Sequence, residues 1–323
     1  MPSLVEFSLG AFIVEAAFLG ETPVVALGDG TVRRFVAGEP VAAAVHAGAI
    51  LSTAVTADGR LLTGGDDGLV ARVDTDGNVE RLAERPKKWV DHVAAGPGNA
   101  IALAVGRQAW VLVGGKERLF DHPRAVGGLA FAPKGLRLAV AHYDGVTLWW
   151  AGTESAPVSL RWKGAHLGVA FSPDGRYVVT SMQENALHGW RLEDGKDMRM
   201  TGYPAKSKSL SWSPKGRFLA SSGANAAILW PFHFKDGPMG KAPLQLGARE
   251  VLVTRVACHP KEELVAIGYQ DGMILAVRFA DAEEALLRRP GESPVSAMTW
   301  DRTGGRLAFG CEDGTAGVVS LAG

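Results

Sequence analysis

The sequence is poor in the residues and patterns that announce chemistry. Its 323 residues hold two cysteines, Cys258 and Cys311. That is too few for a disulfide framework and lacks the spacing of a zinc motif, so both are expected to be free thiols. No apolar run approaches the length of a membrane span, and no basic segment followed by a long apolar core opens the chain. Both absences argue for a cytoplasmic protein without membrane contact. Lysine plus arginine and aspartate plus glutamate stand at 34 each, and a formal net charge of zero argues against wholesale binding of nucleic acid. A Walker loop, a glycine-rich dinucleotide fingerprint, His-Glu-x-x-His and Gly-x-Ser-x-Gly are all missing. The stretch Gly64-Gly65-Asp66-Asp67-Gly68 falls between two expected strands rather than before a helix, the wrong setting for a phosphate cradle. No cofactor, no metal site and no enzymatic activity are therefore expected.

What is present is an internal repeat of roughly 40 residues, a period that marks stacked supersecondary units. After the first apolar run of successive units stand turns such as Ala57-Asp58-Gly59, Pro133-Lys134-Gly135, Pro173-Asp174-Gly175 and Pro214-Lys215-Gly216. A second turn follows at Asp29-Gly30, Asp67-Gly68, Asp144-Gly145, Asp271-Gly272 and Asp313-Gly314, a strong hairpin signal between apolar runs. Each unit thus reads as a small antiparallel meander, and no helix of ordinary length is needed. Near the end of the first strand the units place Ala17, Ala54, Ala94, Ala130, Ala170, Ser211, Ala257 and Thr299, and the next position is often Phe or Trp. Small residues suit sheets converging on an axis, and the large neighbour fills the space between sheets, which is the packing of a β-propeller.

The phrases Val169-Ala170-Phe171-Ser172-Pro173-Asp174-Gly175 and Leu210-Ser211-Trp212-Ser213-Pro214-Lys215-Gly216 resemble the first strand and turn of the WD-repeat propeller family, and Asp144-Gly145-Val146-Thr147-Leu148-Trp149-Trp150 is similar to its third strand. The likeness covers essentially all of the chain, although no third strand ends in the family's Trp-Asp dipeptide: five residues after the turn Gly stand Phe35, Val73, Trp150, Val277 and Val319, and of these only Val73 is followed by Asp. Residues 1–323 are expected to form one all-β domain, a closed propeller of four-stranded antiparallel blades. Eight first strands begin near Ile13, Leu51, Asp91, Gly127, Leu167, Lys208, Val253 and Val295, giving eight blades. Seven is the alternative count, because the unit at 91–126 lacks its Asp-Gly turn. The last unit has only three strands, and the alternating segment 4–9 is expected to pair near 315–321 and complete it. Frequent Ala, Gly and Arg suit a stand-alone bacterial member of the family.

Loops are where function can reside. The family's usual binding face holds the loops between blades, which here carry Arg85, Lys87, Lys88, Trp89, Arg124, Lys163, Lys206, Lys208 and Arg249. Opposite loops carry Asp74, Asp76, Glu154, Glu193, Asp194, Asp281, Glu283 and Glu284, so a neutral total can hide a basic and an acidic face. The family also commonly pairs a His before a blade with an Asp in its second loop, which the resemblance transfers to His46 with Asp67 and His122 with Asp144. At the first-strand register, Glu15, His92 and Arg255, with Asp91 adjacent, are candidates for lining the axial channel. One His among mixed charges is a poor cation site, and solvated lining is the default. A non-catalytic scaffold is expected, binding a protein partner that presents an acidic segment to this loop face. The alternative is a small-molecule- or metal-binding propeller, or an enzyme, that uses the axial funnel.

Overall fold

Short apolar runs separated by turn residues fold here as strands throughout. The computed structural model describes residues 2–321. These form 30 strands, and the one helical element among the described residues is the 3-10 turn Pro97–Asn99. The strands join into seven hydrogen-bonded antiparallel sheets, six of four strands and one of six. The four-stranded sheets start at Ile13–Leu19, Ile50–Val55, His92–Ala95, Leu210–Trp212, Val253–Cys258 and Val295–Trp300. This is the repeated meander of a β-propeller.

Eight separate sheets are expected from the repeats, and the structure has seven. The repeats on either side of Lys163 share one sheet. Its strand Val158–Phe171 pairs with Arg137–Trp150 at the start and with Tyr177–Met182 at the end. Gly164, at φ +125, carries the backbone between the two pairings without a break, a conformation that favours glycine. Leu167 therefore continues a strand instead of beginning one.

The Val295–Trp300 sheet takes its fourth strand from the other end of the sequence. Ser3–Ser8 pairs antiparallel with Thr315–Ser320, from Ser3 opposite Ser320 to Ser8 opposite Thr315. Leu9 adds an N–H bond to the Gly314 carbonyl at 2.9 Å. Phe7 turns inward and meets the Phe35 ring at 5.4 Å.

The chain divides into two compact units, one of residues 1–27, 33–41 and 200–323, the other of residues 28–32 and 42–199. In the first, Phe218, Leu229, Ile267, Tyr269 and Val277 form one intersheet core, while Trp300, Leu307 and Phe309 anchor the next. In the second, Leu148, Leu160, Phe171, Val178 and Trp190 pack together. Burying each of these large side chains contributes about 1.5–3 kcal/mol. The small register residues Ala17, Ala94 and Ala257 are buried, where larger side chains would force neighbouring strands apart.

Candidate interaction loop and polar cleft

The loop after Val79–Glu84 is clamped at its base and open at its tip. Arg85 N–H bonds to the Gly68 carbonyl at 2.8 Å, Lys88 N–H to the Arg85 carbonyl at 3.1 Å, and Val90 N–H to the Gly65 carbonyl at 3.0 Å. Gly68 is required for this fit: it sits at φ +84, and a Cβ there would stand 2.1 Å from the Arg85 carbonyl oxygen. Val90 is fully buried as the anchor, while Trp89 is 64% exposed. Lys87 and Lys88 are exposed on either side of the turn. An indole held out by a fixed loop loses little conformational freedom when it is covered, which favours its use as a contact.

The other basic residues differ in exposure and in what holds them. Arg124, Lys163, Lys206 and Lys208 are exposed. Arg85 lies 4.7 Å over the Trp110 ring and pairs with Glu117, so it holds the loop in place and is unavailable as a contact. Arg249 pairs with Glu284, and the hydrogen bond from that carboxylate raises the Arg249 pKa. Separate basic and acidic faces are therefore not what the structure has at these positions. Glu284 opens the strand Glu284–Arg288 and reaches back to the loop that follows Leu244–Leu246, so opposite charges neutralise each other locally.

A polar cleft of about 380 Å³ opens where the first strands of four sheets of the first unit meet. It gathers Glu15, Lys208 and Arg255, with Ser209, Ser211 and Thr299 between them. Burial raises the Glu15 pKa against the opposing pull of the Ala16 N–H and of Arg255. Burial likewise lowers that of Arg255, with Glu15 and Glu312 acting the other way. Asp91 and His92, expected beside these residues, belong to the other unit. There the Asp91 carboxylate accepts the Gly106 N–H at 3.2 Å, and burial lowers the His92 pKa. Among the described residues no group of three or more His, Cys, Asp or Glu side chains is placed to hold a metal. Cys258 and Cys311 are both free thiols, pushed up by burial to about 12 and about 11, far from the reactive thiolate range.

No family model matches the chain. It is 24% identical over 298 residues to protein HIR1 of Mycosarcoma maydis, a match covering 85% of this chain and 27% of HIR1. It is also 24% identical over 196 residues to human WD repeat-containing protein 55, covering 58% of this chain and 50% of that protein. The chain is consistent with the WD-repeat family. It spans about a quarter of HIR1 and half of WD repeat-containing protein 55. Among solved structures, the computationally designed Ika8 protein superposes with a TM-score of 0.79 at 20% identity, over 97% of this chain and 98% of that one. A chain of the mitotic checkpoint complex superposes with a TM-score of 0.69 at 14% identity, over 85% and 91%. These likenesses bear on fold alone.

WD-type loop stapling occurs at one of the two expected places. His46 Nδ1 lies 2.9 Å from Asp67 Oδ1, and its Nε2 lies 2.8 Å from Thr63 Oγ1. The carboxylate also accepts the Ala47 and Leu69 N–H groups at 3.0 Å each. Burial opposes ionisation of Asp67, but these bonds outweigh it and hold its pKa below the usual carboxylate range. His122 does not pair with Asp144. Its Nε2 accepts the Trp149 indole N–H at 3.0 Å, and Asp144, at φ +71, accepts the Gly164 N–H at 3.4 Å. The bulge between Tyr143 and Gly145 turns that aspartate toward the next strand. A double-mutant cycle should therefore separate the two positions. His46→Ala and Asp67→Ala are expected to couple by about 1 kcal/mol in urea denaturation, and His122→Ala and Asp144→Ala to add. Additivity at His46 and Asp67 would contradict the staple.

Sequence reading missed two buried polar groups. Trp162 stacks on His188 at 4.1 Å beside Trp190. Tyr203 joins Ser221 and Trp230 through two bonds of 2.6 Å. The signal for the second was a Trp near the end of a third strand facing Ser in the second, a pairing legible once strands are aligned.

Proposed function

We propose that the protein is a non-catalytic interaction scaffold whose contact point is the loop tip Lys87-Lys88-Trp89. The observation that carries this reading is a Trp 64% exposed on a loop whose base is hydrogen-bonded at Gly65 and Gly68. Two lysines beside the indole favour a partner segment that presents an apolar or aromatic residue next to acidic ones. Arg124 and Lys163, exposed in the same unit, extend the positive character. The WD-repeat relatives support a role in protein assembly, as does the likeness to a chain of the mitotic checkpoint complex. A catalytic or metal-binding reading has no comparable support. We also read the six-stranded sheet as two joined repeats: Ala151 N–H bonds to the Leu136 carbonyl at 2.8 Å, which brings the ends of 137–150 together and is compatible with eight repeat units.

The test is partner capture from the native host. Trp89→Ala combined with Lys87→Glu and Lys88→Glu should weaken association at least about tenfold, or about 1.4 kcal/mol. The fold should be preserved, because exposed substitutions cost little stability. Association should also slow as salt rises, since charge steering is screened over about 8 Å at physiological ionic strength. Glu193→Lys with Asp76→Lys is the control, because reversal of Glu284 would release Arg249. Capture that survives the loop variant and is lost in the control would place the interface elsewhere.

A further inference from the structure

The polar cleft of the first unit contains opposite charges that do not meet. Glu15 Oε1 accepts only the N–H of its neighbour Ala16, at 3.1 Å, and its carboxylate forms no ion pair among the described residues. Arg255 donates from Nε to the Ser296 carbonyl at 2.5 Å and from Nη1 to the Thr254 carbonyl at 3.1 Å, leaving Nη2 without a partner among the described residues. Lys208 lines the same cleft from an exposed position. The hydroxyls between them are already engaged. Ser209 Oγ accepts the Val256 N–H at 3.1 Å, and Ser211 Oγ accepts the Cys258 N–H at 2.9 Å, so both tie adjacent strands together. What the cleft leaves open for a ligand is one carboxylate and two cationic groups.

We propose that this cleft binds a small zwitterion with the charge pattern of a free α-amino acid, its carboxylate held by Arg255 and Lys208 and its ammonium by Glu15. A simple anion would confront Glu15, and a simple cation would confront Arg255 and Lys208. A molecule carrying both charges satisfies both sides. The volume of about 380 Å³ lies within the range of small-molecule sites, and solvent reaches Glu15 through the mouth, which gives a ligand its entry. The cleft walls raise the Glu15 pKa and lower that of Arg255 while solvent still reaches the Glu15 side chain, so each charge is partly shielded from water and incompletely offset by the other. A ligand group of opposite sign would relieve both. The site shares no residue with the Lys87-Lys88-Trp89 loop and stands independently of the scaffold reading.

The experiment is isothermal titration of the full chain with each standard amino acid in turn at millimolar concentration. At least one should bind, and Glu15→Gln should weaken it about tenfold or more. Blocking the ligand's amino group by acetylation or its carboxylate by amidation should do the same. Arg255→Gln should also weaken binding, and Lys208→Gln, at an exposed side chain, provides the cationic test if the Arg255 variant does not fold. Absence of binding by every amino acid would overturn the proposal. So would binding that is indifferent to Glu15→Gln, or inorganic sulfate binding as tightly as the best amino acid.

Discussion

Deleting residues 1–9 should lower the melting temperature by roughly 5–10 °C or drive the protein to aggregate. The deletion removes a strand that makes six residue pairings with Thr315–Ser320. Ladder hydrogen bonds of this kind contribute about 1 kcal/mol each, so the loss is on the order of 5 kcal/mol, which for a chain of this size corresponds to that shift. It also withdraws Phe7 from Phe35 and the packed group around Ile13, Val25 and Ala308. The strand Thr315–Ser320 would become an unprotected edge, which is why aggregation is the second expected outcome. Calorimetry of the full and shortened chains is the measurement. Melting unchanged by the deletion would mean that the strand contributes nothing to cooperative stability.

Stability should fall by several kcal/mol between pH 7.5 and pH 5. His188 is buried between Trp162 and Trp190, and burial, with the nearby His166 and Arg199 charges adding to it, pushes its pKa down to about 3. Its Nε2 lies 3.3 Å from Asp197 Oδ2 but is not aligned for a hydrogen bond. His122 is pushed down to about 4, first by burial and then by His142. Both rings are held neutral in the folded state and titrate near 6.5 when unfolded. Above about pH 6.5 their contribution is fully present. Below it the unfolded chain binds protons that the folded chain does not, and each group costs about 1.4 kcal/mol per pH unit until its folded pKa is reached. At pH 5 that amounts to about 2 kcal/mol for each. Burial lowers the His166 pKa in the same direction. Carboxylates such as Asp67 and Asp301, whose pKa values are held low, lose their contribution only below about pH 4, so the two effects occupy different windows. Urea titrations at the two pH values measure the loss, and His188→Phe should remove about half of it. A denaturation midpoint independent of pH over this interval would show that these rings are not held neutral.

The repeat itself was legible because every unit solves the same packing problem with the same residue types. Turn glycines mark chain reversals, small residues mark the crowded ends of first strands, and aromatics fill the space between sheets. The pairing of residues near both ends was legible for a related reason: a three-stranded last unit leaves an edge that an alternating segment can cover. The staple at His46 and Asp67 was implied by the family resemblance, yet the same resemblance failed at His122 and Asp144, which stand at nearly the same spacing. There a bulge turns the aspartate toward Gly164, and Trp149 occupies the histidine. Register alone could not anticipate that Val158–Phe171 runs through the boundary between two repeats, because continuity depends on hydrogen bonds to strands on both sides.

Charge behaved differently from packing. Loop membership placed Arg249 and Glu284 on opposite faces, whereas side-chain reach brings them together, and Arg85 is similarly taken up by Trp110 and Glu117. The all-β repeat, its turn chemistry and the first-strand register that holds Glu15, Ser209 and Arg255 are already written in the order of residues, since these follow from backbone periodicity and local propensity. Which charges are neutralised and which are left open emerged only on folding, with Glu15 and Arg255 lining one cleft and Trp89 held out on a clamped loop. Those outcomes depend on distances of a few ångströms between residues far apart in the chain, where long side chains can turn to either of several partners.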